Sequence, residues 1–169
     1  MTANADTLRD IVIANRILAH EEVVDAFGHI SIRDPDNPEQ YLLSRARAPE
    51  LIEADDIVTF AQTGEGFGET NHLVVTMEQG RDLAATLGDR SISLMKRHGC
   101  VVAGRSVQET VMKAIYLQVN AKLQLQAMQI GTPDYLTDTE IAACTDMQQS
   151  PISLDRAWEA WCRRAERAK

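Results

Sequence analysis

The stretch FGHISIR, residues 27–33, alternates strictly between polar and apolar side chains. In an extended chain its two isoleucines point to one side, and the polar residues point to the other, namely His29, Ser31 and Arg33. The turn-forming residues DPDNP follow at 34–38, and YLLS at 41–44 resumes the strand pattern. The sequence therefore predicts a β-hairpin with one face on a core and one polar face.

Helical and strand patterns alternate through the rest of the chain. Apolar residues recur near a 3.6-residue spacing in residues 6–24, which predicts a helix with Asp6 at its N-cap. Further helices are predicted at 76–88, 106–130, 138–147 and 153–167, and strands at 57–60, 91–95 and 100–103. This order favours a single α/β domain over residues 1–169, with a mixed or antiparallel sheet covered by helices.

Composition excludes several classes of function. The 169 residues carry a net charge of −8, and such an acidic surface repels phosphate backbones, which argues against nucleic acid as a partner. The longest apolar runs are too short to cross a bilayer, and the N-terminal sequence does not resemble a signal peptide. Three widely spaced cysteines without a CxxC pair indicate a reducing, cytoplasmic environment.

His98 is the residue that points most directly to chemistry. It precedes Gly99 between two predicted strands, and we expect Gly99 to adopt a backbone conformation that other residues resist. A histidine held on such a turn suits a metal ligand or an acid/base group, because its pKa lies nearest to neutral pH. A turn histidine without a functional role is the alternative.

Two further groups of residues suit an anionic ligand. The polar side of the first strand offers hydrogen-bond donors at Gly28, His29 and Ser31, although such a face is often merely solvated. Ser44 and Arg45, with Arg47, follow the second strand and could grip an anion. Alternatively, the two arginines pair with nearby acidic residues, which are Glu50, Glu53, Asp55 and Asp56.

Several segments together resemble the class II aldolase/adducin family. They are ANRILAHEEVVDAFGHISIRDPD, YLLSRARAPELIEADDIVTF, GRDLAATLGDRSISLMKRHGCVVAG, VMKAIYLQVNAKLQLQAM and RAWEAWCRRA, in the order of the family. The LLSRARAPEL variant resembles the branch associated with decarboxylation of hydroxyaromatic acids. The resemblance implies a three-layer α/β/α fold with a mostly antiparallel central sheet, usually in a homotetramer with sites at subunit interfaces.

The resemblance also implies a site for cleaving a carbon–carbon bond. Family members bind a divalent metal, commonly zinc or manganese, through three histidines, and a glutamate serves as general acid/base. His98 matches the third metal histidine. Gly28, His29 and Ser31 match the substrate-facing strand, and Ser44 with Arg45 matches the anion-binding loop. His29 replaces the asparagine that is commoner there in aldolases.

One family segment has no counterpart in this sequence. Between about Phe60 and Thr70, relatives carry the catalytic glutamate and a His-x-His pair, and this sequence contains no His-x-His pair. Either an internal stretch is omitted or the protein truly lacks it; the sheet edge that a shorter domain would expose favours omission. The catalytic residue is therefore unassigned. We expect a metal-dependent lyase acting on a small anionic substrate, or alternatively a non-catalytic, adducin-like interaction domain without a metal site.

Overall fold

The computed structural model describes residues 4–61, 74, 76–95, 99–148 and 150–168. The helices within these ranges are α1 (Ala5–His20), α2 (Met77–Leu87), α3 (Val107–Ile130), α4 (Asp138–Gln148) and α5 (Pro151–Arg167). The strands are β1 (Ser31–Arg33), β2 (Gln40–Ser44), β3 (Ile57–Ala61), β4 (Ile92–Met95) and β5 (Gly99–Val102). Two short 3₁₀ helices, Pro49–Leu51 and Ala54–Asp56, connect β2 to β3.

All strand pairs in the described ranges are antiparallel. Strands β1, β2 and β3 form one sheet in that order, with Ile32 opposite Leu42 and Leu42 opposite Thr59. Strands β4 and β5 form a separate hairpin. Ile30 and Leu42 are buried whereas Ser31 and Arg33 are exposed, so the predicted hairpin and its alternation are confirmed.

The core lies between the three-stranded sheet and a group of three helices. Helices α1, α3 and α5 contact one another, and their buried side chains join those of the sheet in one cluster, which includes Ile11, Ile17, Leu42, Val111 and Trp161. Within the described residues, none of the helices combines the length and the apolar character needed to span a bilayer. Antiparallel strands covered by helices match the architecture predicted from the sequence.

The ends of the first helix differ from the prediction. Asn4, not Asp6, is the N-cap, because the Asn4 side chain accepts a hydrogen bond of 3.0 Å from the Asp6 backbone N–H. The helix ends at His20 rather than near residue 24, and Glu22 follows with a positive φ of 58°. Short polar residues at both positions 4 and 6 made the N-cap ambiguous in the sequence.

Candidate functional site

Gly28 controls how the chain enters the first strand. Its φ is +118°, and a Cβ at this position would lie 2.5 Å from Cγ1 of Val24. Only glycine avoids both the backbone strain and the clash. The chain can therefore turn sharply after α1, which places His29 at an exposed position and Ile30 in the core.

Asn15 of α1 holds the same segment through a hydrogen bond to Ile30. This fully buried residue of α1 donates from Nδ2 to the Ile11 carbonyl at 2.8 Å, and its Oδ1 accepts from the Ile30 backbone N–H at 3.4 Å. The Ile30 N–H would otherwise be a buried donor at a point where the β1 ladder has not yet begun. The sequence analysis did not single out Asn15, although an asparagine on the apolar face of a predicted helix was an available signal.

His29 and Ser31 lie on the outward face of the sheet. Although His29 is exposed at the surface, desolvation by the surrounding protein lowers its pKa below the usual histidine value of 6.5, so the neutral imidazole predominates at pH 7. Ser31 is exposed and stands opposite Leu43. Ser44 is the next residue on β2; it is buried and, by strand alternation, belongs to the other face of the sheet. The structure therefore groups His29 with Ser31 and sets the Ser44 side chain apart.

Arg45 and Arg47 meet at one buried carboxylate. Asp56 accepts from Nε of Arg45 at 2.5 Å and from Nη1 of Arg47 at 2.5 Å, as well as from the Glu53 backbone N–H at 2.9 Å. The Arg45 backbone N–H also donates to the Asp56 carbonyl at 2.8 Å. Of the acidic partners that the sequence offered, Asp56 is the one that binds both arginines. The Arg45 side chain nevertheless stays 60% exposed, with its guanidinium held in a fixed direction.

The antiparallel register indicates how these two groups are related along the sheet. Ser31, the first residue of β1, pairs with Leu43, so the same register continued two residues before β1 would set His29 across from Arg45. Asp56 offsets one of the two guanidinium charges, which leaves the trio of Arg45, Arg47 and Asp56 with a net charge of +1. A fixed, partly exposed positive charge is suited to bind a small carboxylate or phosphate.

The Asp56 carboxylate should make the stability of the protein depend on pH. The hydrogen bond from the Glu53 backbone N–H, and those from Arg45 and Arg47, outweigh burial and lower the pKa of Asp56 from 3.8 to about 2. Because the folded-state pKa is depressed, the ionised carboxylate stabilises the fold above pH 3.8, and this contribution is lost as the pH falls through about 2. We expect Asp56→Asn to be less stable than the wild type at pH 7. Its free energy of unfolding should also depend less on pH between 3.8 and about 2.

Urea denaturation at a series of pH values measures this effect. Asp55→Asn is the matched control, because Asp55 is the exposed neighbour of the buried Asp56. The control should keep the wild-type pH dependence. Identical pH profiles for Asp56→Asn and the wild type would contradict the assignment of Asp56 as the carboxylate that holds both arginines.

Lys113 of α3 fixes the β4–β5 hairpin to this helix by hydrogen bonds to the residues that flank the hairpin, Ser91 and Ala103. His98 itself lies outside the described residues, as do its two preceding neighbours. Gly99 is extended and opposite Met95, and it has no positive φ, so the special backbone conformation expected of it was wrong. Lys113 donates from Nζ to Glu109 at 2.6 Å, to Oγ of Ser91 at 2.8 Å and to the Ala103 carbonyl at 3.5 Å. These bonds hold both ends of the hairpin.

No metal-binding cluster is formed by the part of the chain that the structure describes: no three His, Cys, Asp or Glu side chains there converge to hold an ion. Two open grooves of about 560 and 540 Å³ lie along α1. Arg47 lines the second of them together with Arg16 and His20, but none of the predicted substrate residues lines either groove. The Arg45–Asp56 cluster and the His29 segment are thus the candidate site.

Comparisons with known proteins agree with this architecture. A family model described as the class II aldolase and adducin N-terminal domain matches residues 60–125. An aldolase II superfamily protein from Pseudomonas syringae is 18% identical with a TM-score of 0.73, covering 96% of this chain and 93% of its own. L-fuculose 1-phosphate aldolase from Glaciozyma antarctica is 15% identical with a TM-score of 0.79, covering 99% of this chain and 93% of its own. The predicted class II aldolase-like α/β/α fold is confirmed.

A curated relative adds a likeness along the sequence. The decarboxylase tropJ of Talaromyces stipitatus is 21% identical over 251 aligned residues, which cover 94% of this chain and 94% of the relative. This chain has 169 residues, so at least 82 of those 251 positions have no residue of this chain. The chain therefore has the class II aldolase fold, and its residues 60–125 match the family's model.

Proposed function

We propose that the protein is a metal-dependent lyase that cleaves a carbon–carbon bond in a small anionic substrate, by decarboxylation of a small hydroxyaromatic acid. Aldol cleavage of a small hydroxy-carbonyl compound is the second reaction of the same class. The observation that carries the proposal is the exposed Arg45 guanidinium, held by the buried Asp56. The decarboxylase relative supports the choice of reaction.

Each of the proposed substrate residues has a distinct task. Arg45 binds the substrate carboxylate, because a guanidinium fixed at Nε still presents further N–H donors. His29, neutral at pH 7, and Ser31 offer hydrogen bonds to hydroxyl groups without adding charge. Gly28 sets the direction of His29, and Ser44 ends the strand from which Arg45 projects. These residues bind and orient the substrate.

The proposal includes a bound metal ion, whose ligands lie outside the described residues. We assign His98 as a ligand to a divalent ion, zinc or manganese, which would stabilise negative charge left on the substrate. Because such centres take three or four protein ligands, the residues described here do not by themselves fit the ion. The other ligands would come from the segment that relatives carry near residues 61–70. The alignment with the decarboxylase spans 251 positions, which is more than the 169 residues of this chain, and this difference supports a missing segment.

A non-catalytic, adducin-like interaction domain is the second candidate. The absence of any His-x-His pair from the sequence favours it. Such a protein would keep the fold and self-association but bind no metal. In either case, free cysteines at positions 100, 144 and 162 support a cytoplasmic location, and a homo-oligomer, a tetramer by family resemblance, is the proposed state.

Metal content and intact mass together separate the two candidates. A lyase should retain about one divalent ion per subunit after gentle purification, measured by plasma mass spectrometry. An intact mass well above 18.8 kDa would show that the purified protein contains the additional segment. A mass of 18.8 kDa, without metal and without carbon dioxide release from hydroxybenzoic acids, would reject the lyase and leave the interaction domain.

Substitution of Arg45 tests the binding role in an active preparation. We expect Arg45→Ala to raise KM for a hydroxybenzoic acid by about 10- to 100-fold, with a smaller effect on kcat, since a charge-assisted hydrogen bond to the substrate is lost. Arg163→Ala is the control, because Arg163 is an exposed arginine on α5 paired with Glu159. Equal KM values for the Arg45 variant and the wild type would refute the assignment.

A further inference from the structure

One row of side chains crosses the outward face of the three-stranded sheet. Ser31 on β1 pairs with Leu43 on β2, and Leu43 pairs with Val58 on β3. Residues that pair directly across antiparallel strands point to the same face, with Cβ atoms about 5 Å apart. Ser31, Leu43 and Val58 therefore lie side by side on the face that carries the proposed substrate residues of β1.

Arg45 and Asp56 form the next row on the same face. The register pairs Ser44 with Ile57, and the hydrogen bond of 2.8 Å from the Arg45 backbone N–H to the Asp56 carbonyl continues this ladder by one pair. The two side chains meet at 2.5 Å between Nε and Oδ1, so both point to one face. Arg45 is two residues beyond Leu43, which puts the rows about 7 Å apart along the strand.

The face changes from charged to apolar along these rows. Val58 is 40% exposed and Leu43 is half-buried, so aliphatic surface is in contact with water next to the Arg45–Asp56 row. The row beyond it contains Tyr41 and Phe60, whose rings stack with centroids 5.4 Å apart. An exposed valine is common in itself. Its position beside a fixed guanidinium distinguishes this one.

We propose that Leu43 and Val58, here called the apolar floor, determine specificity by supporting the aromatic ring of the substrate whose carboxylate Arg45 binds. The inference rests on the proposed function and adds a reason for the preference for an aromatic acid. A ring attached directly to a carboxylate at Arg45 extends toward the neighbouring row and covers aliphatic surface of Val58. Ser31, at the end of that row, offers its hydroxyl to a ring hydroxyl group.

The same floor disfavours an aliphatic polyhydroxy compound. Hydroxyl groups placed over Leu43 and Val58 would lose hydrogen bonds to water, and these two side chains contain neither donors nor acceptors to replace them. The face of an aromatic ring carries no hydroxyl groups, so it covers the floor without that cost. Selection between the two classes of acid therefore comes from the floor, whereas Arg45 binds the carboxylate of either class.

Isothermal titration calorimetry of the full chain with 3-hydroxybenzoate and with lactate tests the floor. Val58→Thr replaces one methyl group by a hydroxyl and keeps the β-branched shape that strands favour. We expect it to raise Kd for 3-hydroxybenzoate about 3- to 10-fold and to leave Kd for lactate unchanged, because lactate has no ring. Val119→Thr is the matched control, since Val119 is a 36% exposed valine on α3; it should change neither Kd.

A second variant reverses the direction of the effect. Val58→Ile extends the floor by one methylene group, so it should lower Kd for 3-hydroxybenzoate about 2-fold, a gain that partial unfolding could not produce. Circular dichroism of each variant checks the fold. An unchanged Kd for 3-hydroxybenzoate in both Val58 variants would refute the floor.

Arg45→Ala in the same titrations separates this inference from the proposed function. It should weaken binding of both acids, because both carry a carboxylate. If it does so while the Val58 variants bind like the wild type, the anion site stands and the floor is refuted. If Val58→Thr weakens only 3-hydroxybenzoate in a protein that releases no carbon dioxide, the floor stands and the lyase is refuted. A wild type that binds neither acid refutes both.

Discussion

Gly28→Ala should lower the free energy of unfolding by about 3 kcal/mol, the sum of backbone strain and a steric clash. An L-residue at φ +118° is strained, and its Cβ would lie 2.5 Å from Cγ1 of Val24 and 2.9 Å from Cβ of the same residue. The contact with Cβ cannot be relieved without moving the backbone of the segment that joins α1 to β1. Urea denaturation followed by circular dichroism measures the loss.

Two other glycines provide matched controls. Gly88 has a positive φ of 53°, but a Cβ there would meet only the Ala85 carbonyl at 3.8 Å, so Gly88→Ala should cost about 1 kcal/mol. Gly99 has neither restriction, and Gly99→Ala should be nearly neutral. The double variant Gly28→Ala with Val24→Ala should recover the part of the loss due to the 2.5 Å contact with Cγ1, while the 2.9 Å contact with Cβ of residue 24 remains. A Gly28→Ala variant as stable as Gly99→Ala would contradict this account.

Glu109→Ala should have the second large effect, a loss of about 2 to 3 kcal/mol, because it leaves Lys113 without its anion in a mostly buried position. Glu109 accepts from Nζ of Lys113 at 2.6 Å and from both the backbone N–H and Nε of Arg105 at 3.1 Å. Burial opposes its ionisation, but these bonds prevail and hold the pKa of Glu109 below its usual value. Its stabilising contribution is therefore present above pH 4.5 and declines as the pH falls below that value.

An exposed ion pair with the same spacing serves as the control. Glu159 and Arg163 on α5 are also four residues apart and 2.5 Å from each other, but both side chains are largely exposed. Glu159→Ala should cost less than about 0.5 kcal/mol. Removing both charges with Glu109→Ala and Lys113→Met should restore part of the stability lost in the single variant. If Glu109→Ala and Glu159→Ala lost the same free energy of unfolding, burial of the Glu109–Lys113 pair would have no effect on its contribution to stability.

Much of the fold followed from local sequence patterns. The alternation in residues 27–33 predicted the hairpin and its polar face, and the helices predicted from Thr76 and Ser106 onward are α2 and α3, which these two residues cap. Hydrophobic periodicity and helix capping depend on residues that are close together in the chain, so both can be recognised in a single sequence. The N-cap of α1 was wrong because Asn4 and Asp6 are both good caps, and only the three-dimensional hydrogen bond to Asn4 separates them.

The candidate site was less predictable because it depends on contacts between distant residues. The sequence offered four acids for Arg45 and Arg47, and only the antiparallel pairing of β2 with β3 selects Asp56. A restricted backbone was expected at Gly99 but occurs at Gly28, where the restriction comes from Val24 in the segment after α1. Local composition does not reveal which glycine the packing requires.

The packing of α5 gives the protein an internal fluorescent reporter. Both tryptophans of the chain lie on this helix; Trp161 is buried in the core cluster and Trp158 packs against it. Undocking of α5 from α1 and α3 would transfer both indoles to water and shift their emission to longer wavelengths. Emission spectra can therefore follow this one helix, while circular dichroism follows the whole chain, and a difference between the two transitions would reveal a partly folded intermediate.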